Sequence, residues 1–220
     1  MVVPRKSLFG EDTKYHFQGF RPASEVNYEA RILTSYKWMR RGSSDSTLLT
    51  DAESNPDFKQ PIAYSIVYNP KLKKVFVYKR AQRKEDYHET RLRGNWSWGF
   101  GGHIEKTDID LSEKNQIQNS MLREITEEIK TDRLFNPRVI GYVNDDTPHR
   151  ESEKIAVGQV HFGILYLVQT DALRLLPKDP EIASIDPKSL IELEEICAFP
   201  DARVESWSRI AIEPLRLILK

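Results

Sequence analysis

Three glutamates and an arginine are the residues of this sequence best suited to do chemistry. They stand in the stretch REITEEIK, residues 123–130, where Glu124, Glu127 and Glu128 are three and four positions apart. Residues at these spacings emerge on one face of a helix, and like charges there oppose helix formation by about 0.2–0.5 kcal/mol per pair. A hard divalent cation would compensate, because Mg²⁺ takes oxygen ligands and bridges carboxylates to a substrate phosphate. Arg123 can fix one carboxylate through a bidentate pair. The alternative is an ordinary solvated helix face.

A glycine-rich turn precedes this stretch in the segment GFGGHIEKTD, residues 99–108. Without side chains at Gly101 and Gly102, the backbone can approach a metal ion or a phosphate closely. The turn and the carboxylate helix are therefore predicted to be two walls of one metal–phosphate site.

The elements that must position these residues follow from periodicity. Two β-branched and aromatic runs, residues 62–68 and 74–80, predict a hairpin, and two further strands are predicted in RVIGYVND and IAVGQVHFGILYLVQT. A helix is predicted from about Leu111 to Lys130, with Ser112 as its N-cap. Its core-facing positions are Ile117, Met121, Leu122, Ile125 and Ile129. The last segment, WSRIAIEPLRLILK, predicts a helix kinked at Pro214. The class is mixed α/β.

The domain organisation is predicted from a change in composition near residue 60. Residues 41–60 are polar and rich in turn formers, which is typical of an exposed connector. We expect residues 1–60 to form an N-terminal extension packed on or near the core, and residues 61–220 to form the main domain.

Charge and composition exclude several classes of partner. The 220 residues include 33 basic and 33 acidic side chains, which gives no electrostatic reason to expect binding to a nucleic-acid polymer or to a membrane surface. The one cysteine, Cys197, cannot form an internal disulfide, which fits a reducing compartment. No run of eighteen apolar residues is present. We expect a cytoplasmic protein that could form a homodimer.

These residues resemble the signature of the Nudix hydrolases, G-x5-E-x7-R-E-U-x-E-E-x-G-U, in which U is aliphatic. The stretch from Arg123 to Thr131 matches the R-E-U-x-E-E part at all five specified positions, and GGHIE resembles its opening. A strand ending in VYKR and a tryptophan strand entering Gly-Gly are also similar to that superfamily. The resemblance covers roughly residues 60–170. More weakly, the start VVPRKSLFG…FQGF and the stretch VGQVHFGILY resemble a bacterial Nudix subgroup known as predicted phosphoesterases.

The sequence departs from the signature at four points. Seven extra residues separate Gly102 from Arg123. Asn115 stands at the position of the first glutamate, for which Glu113 is a possible substitute. Lys130 replaces the glycine and Thr131 the last aliphatic residue, so the helix is expected to end differently.

The resemblance implies an α/β/α sandwich with a mixed sheet, and hydrolysis of a pyrophosphate linkage in a nucleotide or another small diphosphate with Mg²⁺ or Mn²⁺. The implied catalytic residues are Arg123, Glu124 and Glu128; the implied metal ligands are Glu124, Glu127, Glu128 and the Gly102 carbonyl; the implied substrate contacts are Arg80, Trp98, Gly101 and Gly102. Glu113, Glu151 and Glu153 are candidates for the general base. The alternative is a Nudix-fold nucleotide-binding or regulatory module without turnover. An isoprenoid diphosphate isomerase ranks last, because it needs a reactive cysteine near the site.

Two histidines and a tryptophan have competing interpretations. His103 in the glycine turn is expected to be exposed to solvent. His161 in an apolar strand is expected to be a hydrogen-bonded core residue, with a role in a site as the alternative. Trp98 fits the core better than a base-stacking surface, although its place beside the glycines makes it the better stacking candidate of the two tryptophans.

Overall fold

The structure is a computed structural model, and it describes residues 1–42, 50–81, 94–109, 115–131, 133–148 and 155–219. Its strands are β1 Val3–Pro4, β2 Gly19–Pro22, β3 Phe58–Asn69, β4 Lys74–Arg80, β5 Trp96–Ser97, β6 Ile129–Lys130, β7 Leu134–Asn144, β8 His161–Thr170, β9 Leu176–Pro177 and β10 Ile182–Lys188. Its helices are α1 Arg5–Phe9, α2 Tyr28–Ser35, α3 Gln116–Glu128, α4 Val157–Val160, α5 Leu190–Ala198 and α6 Ser206–Ile218, with a 3₁₀ turn at Lys106–Asp108. The predicted mixed α/β class is confirmed.

One large sheet has the hydrogen-bonded order β10-β4-β3-β8-β7-β2, with β1 paired to β3 and β5 paired to β4. Strands β6 and β9 form a separate two-stranded sheet. The chain divides into two compact units: residues 1–63, 102–120 and 141–164 form the first unit, and residues 64–101, 121–140 and 165–220 form the second. The division at residue 60 into an extension and a main domain stays a prediction.

Aromatic packing forms the core of the first unit. The ring of Phe162 in β8 lies 5.9 Å from that of Phe9 and 5.9 Å from that of Tyr142, and Tyr28 lies 4.9 Å from Tyr142, each between ring centroids. Phe9, Tyr28, Tyr142 and Phe162 are all buried. The Tyr142–Phe162 pair is stacked and the other two are edge-to-face, and such aromatic pairs add about 0.5–1.5 kcal/mol each beyond their buried area. The N-terminal residues therefore contribute directly to a core.

The predicted hairpin is the centre of the second unit. Tyr68 pairs with Val75 and Asn69 with Lys74, in antiparallel register. The side chain of Asn69 accepts hydrogen bonds from the backbone N–H groups of Lys71 and Leu72, at 2.9 and 3.0 Å, which closes the turn locally. Strand β10 continues the sheet by pairing along β4.

The prediction that residues 41–60 form an exposed connector is wrong for residues 50–60. Asp51, Ser54, Asn55 and Gln60 are buried, and β3 already begins at Phe58. The side chains of Asp51 and Asn55 accept hydrogen bonds from backbone N–H groups two residues later, so polar turn formers are satisfied inside the protein. Polarity alone cannot distinguish this arrangement from a solvated loop.

Helix α3 differs from its prediction at both ends. It begins at Gln116, where the side chain of Asn115 accepts from the N–H groups of Ile117 and Gln118 at 3.0 Å each, as an N-cap does. The proposed cap, Ser112, lies outside the described residues. The helix ends at Glu128, whose carbonyl accepts from the N–H of Lys178 at 2.9 Å, and the chain continues directly as β6. The expectation that Lys130 changes the end of the helix is confirmed.

Two further outcomes concern the later chain. Residues 157–160, which were predicted as strand, form the short helix α4, and the strand begins only at His161. The last helix is confirmed as α6, with Pro214 inside it. Among the described residues, no helix has the length and apolar character needed to cross a membrane.

Candidate functional site

The glycine-rich segment is held in place by strand β3. Phe100 and Ser65 exchange backbone hydrogen bonds of 2.8 and 2.7 Å, and the hydroxyl of Tyr78 donates to the carbonyl of Gly99 at 3.0 Å. A Cβ atom on Gly99 would meet the ring of Tyr64 at 1.9 Å, so only glycine fits there. Gly101 has φ = 144°, which side chains rarely adopt. Close packing therefore requires glycine at position 99, and the backbone conformation requires it at position 101.

The carboxylate of Glu128 contacts this turn. The N–H of Gly101 donates to Oε2 of Glu128 at 2.9 Å, so the turn and helix α3 meet as the sequence predicts. Burial raises the pKa of Glu128 well above its usual value, with a further contribution from the charge of Glu124; the Arg80 charge and the Gly101 hydrogen bond oppose the shift. A nearby positive charge would favour the ionised form of this carboxylate.

Arg123 joins the other two carboxylates. Its NH1 lies 3.0 Å from Oε1 of Glu124 and 3.1 Å from Oε2 of Glu127. The same nitrogen therefore contacts both acids; a bidentate pair of Arg123 with one carboxylate stays a prediction. The side chain of Glu127 is 56% exposed and that of Glu124 is 15% exposed, so solvent can reach the cluster. The bridge reduces the like-charge repulsion on this face of the helix.

Arg80 lies at the end of β4 with its guanidinium on the buried carboxylate of Glu205. Its carbon Cζ also lies 5.3 Å from the centre of the Tyr78 ring. These contacts fix the guanidinium in the second unit, and its charge lowers the pKa of Glu128. A role for Arg80 in holding substrate phosphate remains a prediction.

The remaining predicted site residues are placed as follows. Trp98 is fully buried, and its backbone N–H donates to the Ser208 hydroxyl at 3.1 Å, so its place favours the core interpretation; its assignment as a substrate contact stays a prediction. Gly102 belongs to the first unit, and its role as a ligand also stays a prediction. Glu113, Glu151 and Glu153 lie outside the described residues.

A cluster that the sequence analysis did not predict lies in the first unit. Oε1 of Glu53 lies 3.9 Å from Nε2 of His103 and 3.8 Å from Nε2 of His161, and the two Nε2 atoms are 3.0 Å apart. Among the described residues, Glu53, His103 and His161 are the group of three whose ligand atoms all lie within 4.8 Å of one another, and the carboxylates of α3 are not so close. His103, which was predicted to be solvent-exposed, is 25% exposed.

Hydrogen bonds fix the orientation of His161. Its Nδ1 lies 2.6 Å from the Val157 carbonyl, and its Nε2 lies 3.3 Å from Nε2 of Gln60. Burial lowers the pKa of His161, while the charge of Glu53 opposes that shift. The imidazole is therefore held neutral, and the expectation of a hydrogen-bonded buried histidine is confirmed.

A cavity of about 400 Å³ adjoins this cluster in the first unit. His103 and Gln60 form part of its wall, together with Trp38, Arg40 and Arg41. The cavity is open to solvent, so water and small ligands can reach the cluster through it.

The similarity to known proteins covers nearly the whole chain. No model of a known protein family matches the chain. The chain is 30% identical to Protein YmaB of Bacillus subtilis (strain 168) over 225 residues, which covers 98% of this chain and 96% of YmaB.

Solved structures share the fold at lower identity. The chain superimposes on Tm1382, a protein classed with the Nudix hydrolases, with a TM-score of 0.69 and 22% identity, over 99% of this chain and 97% of that one. It superimposes on the NUDIX domain of Shewanella oneidensis NrtR, solved in complex with ADP ribose, with a TM-score of 0.51 and 13% identity, over 74% of this chain and 89% of that domain. The resemblance of the sequence to the Nudix proteins is confirmed at the level of the fold. The chain therefore belongs to the protein family of YmaB and has the Nudix fold.

Proposed function

We propose that this protein is a Nudix-type hydrolase that cleaves a phosphoanhydride linkage in a nucleoside-diphosphate-like small molecule with a divalent metal ion. The observation that carries the proposal is the hydrogen bond from the Gly101 N–H to the Glu128 carboxylate. It joins the glycine turn to the carboxylate helix, which are the two parts of the sequence that resemble the Nudix signature.

The carboxylates of α3 would hold the ion. Glu124, Glu127 and Glu128 offer only oxygen donors, a set that fits Mg²⁺ or Mn²⁺ and does not favour a thiolate-preferring metal. When bound, the ion supplies positive charge against the phosphate oxygens and lowers the pKa of an attacking water.

The other side chains would orient the substrate and the ligands. Arg123 contacts Glu124 and Glu127 and would orient both carboxylates toward the ion. Arg80 and the Gly101 backbone would contact the substrate. Phosphoryl transfer depends mostly on positioning and charge stabilisation, so no covalent nucleophile is needed. Cys197 is unsuited to such a role, because burial raises the pKa of its thiol.

The second candidate is a nucleotide-binding module without turnover. Two observations favour it: the carboxylates of α3 do not converge within 4.8 Å, and the helix ends at Glu128 in a strand where the signature has a glycine. The NrtR domain shows that a Nudix fold can hold ADP ribose. Both candidates take a small nucleotide or another diphosphate, and we propose a cytoplasmic protein without a nucleic-acid polymer or membrane as partner.

Thermal unfolding with a nucleotide separates the two candidates. A ligand that binds only the folded state stabilises it by roughly 2.7 kcal/mol at a hundredfold excess over its Kd. Mg²⁺ should therefore raise the melting temperature, and the combined replacement of Glu124, Glu127 and Glu128 by glutamine should abolish the rise. We expect the further protection by a hydrolysable nucleotide to decay with incubation as the ligand is consumed.

The opposite outcome is equally clear. Protection that depends on the metal, persists for hours and leaves no product would contradict the enzyme and support the binding module. A rise in melting temperature that survives in the triple variant would refute the metal assignment itself.

A further inference from the structure

We propose that Glu53, His103 and His161 form a second metal site, which binds Zn²⁺ or a similar transition ion and is separate from the carboxylates of α3. Two imidazoles and one carboxylate are the donor set of three-ligand zinc sites that keep a fourth position open. All three side chains lie in the first unit, so the inference does not depend on the proposed hydrolase activity.

The hydrogen-bond partners determine where the lone pairs of the two imidazoles point. The Val157 carbonyl can only accept, so Nδ1 of His161 carries the proton and Nε2 carries a lone pair. Arg41 can only donate, and its NH1 lies 3.2 Å from Nε2 of His103, so that nitrogen also carries a lone pair. A metal-binding histidine commonly donates its other ring N–H to a carbonyl, as His161 does to Val157.

The two Nε2 atoms lie 3.0 Å apart, and each has a donor beside it, Arg41 at His103 and Gln60 at His161. A cation between the nitrogens would replace both donors as the partner of the lone pairs. A metal ion satisfies both nitrogens and the nearby Glu53 carboxylate together.

The spacing of the three ligand atoms fits one ion after small movements. Ligands at 2.0–2.1 Å from a tetrahedral zinc are roughly 3.3 Å apart. The observed separations are 3.0, 3.8 and 3.9 Å, so Glu53 must approach by about 0.5 Å and the two imidazole nitrogens must separate by about 0.3 Å. Its side chain is 29% exposed and has room to move.

Two neighbouring groups oppose or support the ion. Arg41 lies 3.6 Å from Glu53 and competes for it, but its side chain is 50% exposed and can turn toward solvent. Gln60 donates to Glu53 at 3.3 Å and helps to orient the carboxylate. The cavity beside His103 gives water or a small anion access to the fourth position.

Zinc titration of the full chain in competition with a chromophoric chelator tests the site. We expect one tight Zn²⁺ equivalent in the wild type, and the same equivalent when Glu124, Glu127 and Glu128 are all glutamine. His161→Ala and, at a more exposed position, His103→Ala should each weaken binding at least 100-fold. Arg41→Ala should tighten it about tenfold, because a competing charge is removed. His16→Gln, outside the cluster, should leave binding unchanged.

Co²⁺ provides a second readout, since four-coordinate Co²⁺ with histidine ligands absorbs visible light intensely. The wild type should show this absorption and His103→Ala should lose it. Absence of a tight Zn²⁺ equivalent in the wild type would overturn the proposal. Zinc binding that survives in both histidine variants, or is lost in the triple glutamine variant, would also overturn it.

Discussion

Glu128→Gln should lower kcat by about 100-fold or more without loss of folding. The amide oxygen of glutamine can still accept the hydrogen bond from Gly101, so the contact between the turn and α3 is kept while the charge is lost. A metal ion and its ligands supply several kcal/mol of transition-state stabilisation, and each 1.36 kcal/mol corresponds to a factor of ten in rate. Because burial raises the pKa of Glu128, removal of its charge should not lower the free energy of unfolding.

The matched control is Glu195→Gln, which makes the same chemical change on the exposed side of α5. Its kcat and melting temperature should equal those of the wild type. Glu113→Gln answers a related question: a loss as large as that of Glu128→Gln would show that Glu113 replaces the first glutamate of the signature. A wild-type kcat for Glu128→Gln would contradict the proposed metal ligand.

Asp146→Asn should lower the free energy of unfolding by about 3–5 kcal/mol, the range found when one partner of a buried ion pair is removed. Asp146 forms an ion pair with Lys59, whose side chain is fully buried; Nζ lies 2.7 Å from Oδ1. The same carboxylate accepts from Arg5 at 2.6 Å and lies 3.0 Å from His16. Without it, the Lys59 ammonium keeps backbone carbonyls but loses its counter-charge.

The dependence on pH identifies the cause. The partners hold the pKa of the Asp146 carboxyl far below its usual value, so its stabilisation is complete above the unfolded pKa of about 4 and is lost as the pH falls through the folded pKa. Burial lowers the pKa of Lys59 to about 8. The deficit of Asp146→Asn should therefore shrink as the pH rises through that value, because neutral Lys59 needs no counter-charge.

Urea unfolding at several pH values measures this effect. Asp171→Asn removes a carboxylate from an exposed ion pair with Arg133 and should change the free energy of unfolding by less than about 0.5 kcal/mol. A deficit for Asp146→Asn no larger than that of the control would show that the network does not stabilise the fold.

The sequence was most informative where periodicity and local chemistry act together. The apolar runs of the hairpin and the buried face of α3, with Ile117, Met121 and Ile125, follow from residue type and spacing. Ile129 is also buried, but it lies in β6, and Leu122, which was predicted to face the core, is only half-buried. The contact between Gly101 and Glu128 also agrees with the predicted meeting of the turn and the helix.

Other features depend on contacts between distant parts of the chain. Glu53 lies in a polar segment that composition marks as a connector, and only the fold brings it to His103 and His161. The start of α3 was misplaced because Ser112 and Asn115 are both good N-caps, and sequence does not decide between them. In the sequence, the cluster is indicated by the positions of its two histidines, His103 in a glycine turn and His161 in an apolar strand.

The most direct measurement of the central claim is product formation by purified protein over a panel of nucleoside triphosphates, ADP-ribose, dinucleotides and nucleotide sugars, with Mg²⁺ or Mn²⁺ and with excess chelator. The proposed site predicts that at least one diphosphate-containing compound is cleaved at the phosphoanhydride bond, and that chelation abolishes the cleavage. Full activity in excess chelator, or tight binding across the panel without any phosphate-containing product, would contradict it.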